Sequence, residues 1–276
     1  MSYLIDSHCH LHDPEFFSQE QQQQALDNAL KHNVRQIICV GTSDKDSKTA
    51  RAFAESHQNI FWAYGIHPEE AAEKTADYRP RASQKLIAIG EIGLDYHYDG
   101  YDRSAQIQLL EKMLSLAVSM NLPCSFHVRD ALPDFFAILD NFPSLKPSVL
   151  HSFTDSKKNL ETALNKGLCI GLNGIATFAN LDCYRVFDPC LLDRLVLETD
   201  APFLTPAPKR GKINEPGNIA HIASWVSEKT GVSVAIVAEK TSNNVRKIFN
   251  LPNPEGVSFA GDRKPSRSGA FCDPCA

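Results

Sequence analysis

The sequence predicts an α/β fold, a single-domain (β/α)8 barrel of the TIM type, on three observations. Apolar runs of strand length recur eight times. The stretches between them read as helices. The chain has 276 residues and 43% hydrophobic content, enough for a full core and near the roughly 250 residues that such a barrel uses. A doubly wound open sheet is the competing arrangement.

The eight runs are YLID (3–6), QIICV (36–40), IFWAYG (60–65), LIAIG (86–90), PCSFHV (123–128), SVLH (148–151), LCIGLN (168–173) and LVLET (195–199). They are rich in Ile, Val, Leu and aromatics, and nearly continuous rather than alternating, as in parallel strands covered on both faces. Between them, SAQIQLLEKMLSLAVSM sets Ile107, Leu110, Leu114, Ala117 and Met120 in one helical stripe. PDFFAILDNF and KNLETALNKG read likewise, the second stopped by Gly167 as a C-cap. Strand and helix alternate at roughly 25 to 35 residues per unit, the size of a βαβ repeat.

After the eighth run, APFLTPAPKRGKINEPGN is a loop by its prolines and glycines. IAHIASWVSEKTG and SVAIVAEKT follow as helices, the second with Ser233 as N-cap, and SNNVRKIFN as a further short helix capped by Ser242. Residues 1–250 thus make the barrel. Residues 251–276 lack periodicity and form an irregular C-terminal tail, mobile or lying as an arm on the surface.

Bulk properties exclude several classes. No stretch approaches the ~20 apolar residues of a membrane span. The N-terminus lacks a basic segment followed by an apolar one, so neither a signal peptide nor a membrane partner is expected. Eight cysteines are scattered, with Cys39, Cys124 and Cys169 inside apolar runs, and read as buried free thiols of a reducing compartment. Cys272 and Cys275 form a lone C-x-x-C, a weak signal. The net charge of −5 argues against a protein that coats nucleic acid through a basic surface. It leaves room for an enzyme that holds a few phosphates through metals and local cations.

The chemistry stands at the C-terminal ends of the strands, which face one rim in a parallel barrel. The first strand ends in His8 and His10, two apart and so on one face. The third ends in His67, the fourth runs into Glu91, the fifth ends in His127, the sixth in His151 and the eighth in Asp200. A single histidine in an apolar run is commonly a hydrogen-bonded core residue, but His8, His10, Glu91, His127, His151 and Asp200 come from five strand ends and form a set suited to divalent metal. Imidazole favours Zn, Mn, Fe or Ni, and carboxylate suits Mg or Mn. Glu91 has two oxygens and can bridge two ions about 3.5–4 Å apart. Such ions lower the pKa of a bound water and polarise a phosphoryl or carbonyl oxygen, while Asp200 binds metal and orients that water or accepts its proton. His12 reads as a surface residue or a neighbour of the ligands. His32, His57, His97 and His221 read as surface residues.

Taken together, DSHCHL, GIHP, IGEIGLD, HVRDA, and ETDAP followed by RGKINEP resemble the TatD-type metal-dependent deoxyribonucleases, over roughly residues 3 to 250 and in the same order. The resemblance implies a cytoplasmic (β/α)8 barrel, a relative of the amidohydrolases, with one or two divalent metal ions. Mg is the expected ion for activity, and Zn, Mn or Ni the alternatives in a purified form. It implies hydrolysis of DNA phosphodiester bonds, commonly as an exonuclease, and a nucleic acid substrate that is single-stranded or frayed at its end. By position, His8, His10, Glu91, His127, His151 and Asp200 take the metal-ligand places, with Glu91 and Asp200 catalytic. His67 takes that of a histidine near the substrate phosphate, and Arg129 is expected to grip phosphate through paired hydrogen bonds. A monomer is expected.

Two positions depart from the family. HSFTD replaces the small-residue turn HCFSG, so Asp155 adds a carboxylate near the phosphate path. Position 12, commonly an acid, is histidine. Lys209, Arg210 and Lys212 after the eighth strand, and Lys157 and Lys158 after the sixth, are candidates for flanking phosphates or simply solvated charges. Tyr96, Tyr98 and Tyr101 either stack bases or pack down their loop. Asp95 is a candidate for orienting a ligand histidine. Two other functions compete with the nuclease: hydrolysis of ester or amide bonds, as by an aminoacyl-tRNA deacylase, and a non-catalytic binding protein on the same scaffold.

Overall fold

A computed structural model describes residues 2–72, 79–184, 188–254, 256 and 258–259. Its eight strands are β1 (Leu4–Cys9), β2 (Val34–Val40), β3 (Ile60–Tyr64), β4 (Leu86–Asp95), β5 (Cys124–Arg129), β6 (Val149–Leu150), β7 (Cys169–Leu172) and β8 (Leu195–Leu197). They form one sheet in the order of the sequence, every neighbouring pair parallel. The sheet curls until its edges meet. Asp200 N donates to His8 O at 2.9 Å and His10 N to Ala201 O at 2.6 Å, and Ser7 Oγ donates to Leu197 O at 2.9 Å. Buried Asp6 completes the seam by accepting from Thr199 N at 2.9 Å and Thr199 Oγ1 at 2.5 Å. The barrel, not the open sheet, is therefore the architecture.

The helices are α1 (Gln19–Lys31), α2 (Asp44–Glu55), α3 (Arg103–Met120), α4 (Leu132–Leu139), α5 (Lys157–Asn165), α6 (Ile219–Thr230) and α7 (Val234–Phe249). Polar side chains cap several of them: Ser18 with Gln21 in a capping box on α1, Asp102 on α3, Ser156 on α5 and Ser233 on α7. Ile37 and Ile38 fall in different apolar clusters, because successive strand residues face opposite sides of the sheet. The larger cluster joins Ile37, Cys39 and Trp62 to helix residues such as Leu26, Ala50 and Leu110. The smaller gathers Ile5, Ile38, Phe61, Ile87, Val149 and Val196, and is joined by Phe249 and Leu251.

Several expectations are corrected. Among the described residues, β3–β4 and β7–β8 are connected through 3-10 turns rather than α-helices. The stripe on α3 is rotated, with Leu109 and Met113 buried and Ile107 and Met120 only partly so. SVAIVAEKT and SNNVRKIFN are one helix, α7. Ser242 sits inside it, and its hydroxyl donates to Tyr3 O at 2.9 Å instead of capping. The described residues beyond α7 take one of the two expected forms and lie against the barrel: Gln36 Nε2 donates to Pro252 O, Gln58 N donates to Phe259 O, and Phe259 is buried. Cys39, Cys124 and Cys169 are buried free thiols; Cys272 and Cys275 lie outside the described residues.

Candidate metal centre

All six proposed ligands meet at the C-terminal rim, and Glu91 stands between two donor groups. Its Oε2 is 3.4 Å from His8 Nε2 and 3.7 Å from His10 Nε2. Those two nitrogens are 3.3 Å apart, and Asp200 Oδ1 lies 3.7 and 3.5 Å from them. Ligand bonds of about 2.0–2.2 Å in a tetrahedron put donors about 3.3–3.6 Å apart, so these four atoms have the spacing of a divalent ion's ligands. On the other side, Glu91 Oε1 is 2.9 Å from His151 Nε2, 3.1 Å from His127 Nδ1 and 3.9 Å from His67 Nε2. Separate candidate ligand groups form on the two sides: His8, His10 and Glu91, and His67, Glu91 and His127. The shared carboxylate fits the bridging place expected from sequence.

Hydrogen bonds settle which nitrogens are available. His10 Nδ1 is 2.8 Å from Val40 O. A carbonyl only accepts, so Nδ1 carries the proton and Nε2 keeps its lone pair for the centre. His127 is turned the other way: Nε2 donates to Asp95 Oδ2 at 2.8 Å, and Nδ1 faces Glu91. His8 Nδ1 is 3.2 Å from Ser125 Oγ. His151 Nδ1 lies 3.5 Å from Oε1 of fully buried Glu198, with no closer partner. Glu198 is the residue that sequence reasoning missed, although its separation of two from Asp200 was a readable signal of a shared face. Space for it comes from Gly171, where a Cβ would fall 2.4 Å from Glu198 Oε2.

The backbone is shaped to the same end. A Cβ on Gly65 would stand 2.1 Å from Glu91 N, so only glycine admits this approach of β3 to β4. Asp200 adopts φ of 56°, a left-handed conformation that aspartate tolerates better than most residues. Burial pushes the Glu91 carboxyl up, but His151 and His8 outweigh it and hold it well below the usual carboxylate range. Burial opposes a charge on His127, yet Asp95 and Glu91 raise its pKa. For His67 burial dominates and lowers it to about 4.

The centre opens into a cavity of ≈ 630 Å³ whose lining includes His67, Arg129, Tyr98, Asp200 and Phe203. His67 and Arg129 thus reach the cavity, whereas Lys209, Arg210, Lys157 and Lys158 are exposed residues that do not line it. Asp155 does not line it either. Its Oδ1 accepts from Ser156 N and Asn159 Nδ2 at the start of α5. Of the tyrosines, Tyr96 packs, stacked on Tyr101 at 4.6 Å and donating to Asp134; Tyr98 is exposed, with the Arg129 guanidinium 5.3 Å from its ring centroid. His12 is not on the surface. It is buried and bonded through Nε2 to Asp46 Oδ1 at 3.0 Å, which raises its pKa to about 9 against the effect of burial. His57 and His221 are half-buried, while His32 and His97 are exposed.

A closed parallel barrel with histidine and carboxylate donors at this rim is the architecture of metal-dependent hydrolases. The TatD related DNase family model matches residues 5–250, and the chain belongs to that family. The metal-dependent hydrolase YabD of Bacillus subtilis, named as uncharacterized, is 30% identical over 255 residues, covering 90% of this chain and 99% of its own. A protein of Pantoea ananatis named 3'-5' ssDNA/RNA exonuclease TatD is 32% identical over 261 residues, covering 90% and 100%. Among solved structures, the TatD homologue YjjV of Escherichia coli superposes with a TM-score of 0.81 at 28% identity, covering 90% of this chain and 98% of that one. The protein is accordingly a metal-dependent hydrolase, with His, Glu and Asp groups able to hold metal ions. Among the described residues, no helix is long and apolar enough to cross a membrane.

Proposed function

We propose that this protein is a cytoplasmic, monomeric exonuclease that removes nucleotides from the 3' end of single-stranded or frayed DNA, working with two divalent ions, Mg in the cell. The observation that carries the reading is the placement of Glu91 between two donor groups at the floor of a cavity that also presents Arg129. Two-metal sites of this kind serve in-line displacement at phosphorus, where the ions lower the pKa of the attacking water and neutralise charge on the phosphoryl group. The exonuclease name of the relative from Pantoea ananatis supports the substrate and the direction.

The residues divide the remaining work. His8, His10 and Asp200 would hold one ion, and His127 and His151 the other, with Glu91 available to both. Asp200 takes the proton of the attacking water. The Arg129 guanidinium, steadied over Tyr98, binds a non-bridging phosphate oxygen through charge-assisted hydrogen bonds. His67 is held neutral by burial and donates one hydrogen bond to the same phosphate.

The test uses chelator-stripped protein, a single-stranded DNA labelled at either end, and added Mg²⁺ or Mn²⁺. The expected result is a metal-dependent ladder shortening from the 3' end and absent in Asp200→Ala. No product with any metal, together with release of amino acid from charged tRNA, would overturn the nuclease reading in favour of carbonyl hydrolysis.

A further inference from the structure

Among the described residues three phenylalanines are exposed: Phe203 lines the cavity, Phe16 packs on Phe203 just outside it, and Phe178 stands on the loop after β7. Phe16 is 38% exposed, Phe203 47% and Phe178 43%. Isolated exposed apolar residues are ordinary, but Phe203 and Phe16 are arranged. Phe203 is 6.3 Å from the His10 ring and meets Phe16 in a T-shaped contact at 5.2 Å. Its backbone is fixed on both sides: Phe203 N donates to Asp200 O at 2.8 Å, and Phe203 O accepts from buried Asn214 Nδ2 at 2.7 Å. The β7 and β8 loops join through Ala207 N donating to Thr177 Oγ1 at 2.9 Å. There the Arg210 guanidinium sits 3.7 Å from the Phe178 ring centroid.

Charge around the mouth says what such rings can hold. Asp13, Asp46, Glu69 and Glu70 line the cavity on the side of the β1, β2 and β3 loops. A phosphate backbone is repelled there. Cations stand on the other half, Arg129 at the end of β5, Lys157 and Lys158 after β6, and Lys209 and Arg210 after β8, with Asp130 and Asp155 beside the first three. A polyanion can therefore lie over the β5–β8 half and has to end near the seam between β8 and β1, where Phe203 stands.

We propose that Phe203, backed by Phe16, is the stacking platform for the base of the terminal nucleotide, and that Phe178 with Arg210 receives a base further along the strand. The inference rests on the nuclease reading and adds to it how a chain end is recognised. Aromatic rings suit this task because every base offers a π-face, so grip is independent of sequence. Arg210, which does not line the cavity, finds its role here as a cation stacked on Phe178.

The experiment measures stacking and turnover separately. Oligodeoxynucleotides carrying 2-aminopurine as the 3'-terminal base, or an abasic 3'-terminal sugar, are offered to wild type, Phe203→Ala and Phe203→Trp. Metal content and thermal midpoint of each variant serve as controls. With wild type, 2-aminopurine fluorescence is expected to be quenched on binding. Phe203→Ala should lose the quench and raise KM roughly 5- to 150-fold, the range of one base–aromatic stack, and Phe203→Trp should restore both. On the abasic end the alanine variant should cost little, because the partner is already missing. Equal losses on normal and abasic ends, or an undiminished quench in Phe203→Ala with turnover intact, would overturn the platform while leaving the nuclease reading standing. Neither binding nor cleavage of any oligonucleotide by wild type would overturn both.

Discussion

The Asp95 carboxylate lies 2.8 Å from His127 Nε2 and thereby turns His127 Nδ1 toward Glu91. The orientation of this imidazole is set from outside the centre. Asp95 is itself held in place, since it accepts from His97 N at 2.9 Å and its own backbone N–H donates to Gln106 on α3. Replacing Asp95 with alanine frees the imidazole to rotate. Metal affinity should fall about 10- to 100-fold, as for other outer partners of metal-bound histidine. Titration calorimetry of the stripped protein checks this, and unchanged affinity would rule out the orienting role.

Glu198 faces His151 more loosely, its Oε1 3.5 Å from Nδ1. It is buried, and Oε1 also accepts from Ser152 N at 2.6 Å. Glu198→Gln keeps an oxygen for Ser152 but loses the negative charge facing His151 Nδ1. We expect retained folding with weakened metal binding. Gly171→Ala should mimic this from a distance, because its new Cβ would stand 2.4 Å from Glu198 Oε2 and displace the carboxylate. Overpacking of this kind costs about 1–3 kcal/mol. A Gly171→Ala protein with normal stability and metal content would show that the carboxylate has room after all.

On the proposed bridging role, Glu91→Ala should abolish turnover with the fold retained, because Glu91 stands between the donor groups and is not part of the apolar core. Metal stoichiometry separates the possible roles. Loss of both ions supports bridging, whereas loss of one with the other bound at full affinity contradicts it.

Asp6 tests closure of the barrel rather than chemistry. Its carboxylate receives both the N–H and the hydroxyl of Thr199. Asp6→Ala leaves buried donors unpaired at about 1–3 kcal/mol each. Thermal or denaturant unfolding should therefore show a clear loss of stability. An unchanged midpoint would mean that water replaces the carboxylate.

Much of this was legible in the primary structure. Strands buried on both faces announce themselves as unbroken apolar runs, and a ligand placed directly after such a run must lie on the rim. His8, His10, Glu91, His127, His151 and Asp200 could be gathered for that reason alone. The merging of two supposed helices into α7 was not legible, because Ser242 looks like a cap until Tyr3 O is found beside it. For His12 the sequence left a surface place and a place beside the ligands both open, because its partner, Asp46, lies on another element. Periodicity and strand length, being local properties, were enough to read parallel strands in sequence order and the residue types at their C-terminal ends, while closure of the sheet was left to the β1–β8 seam. Only tertiary structure decided that Glu91 faces both donor groups, that Asp95 aims the His127 imidazole while Glu198 faces that of His151, and that Phe16 packs on Phe203 beside the cavity. Those are relations between residues far apart in the chain, and they exist only once the sheet has closed.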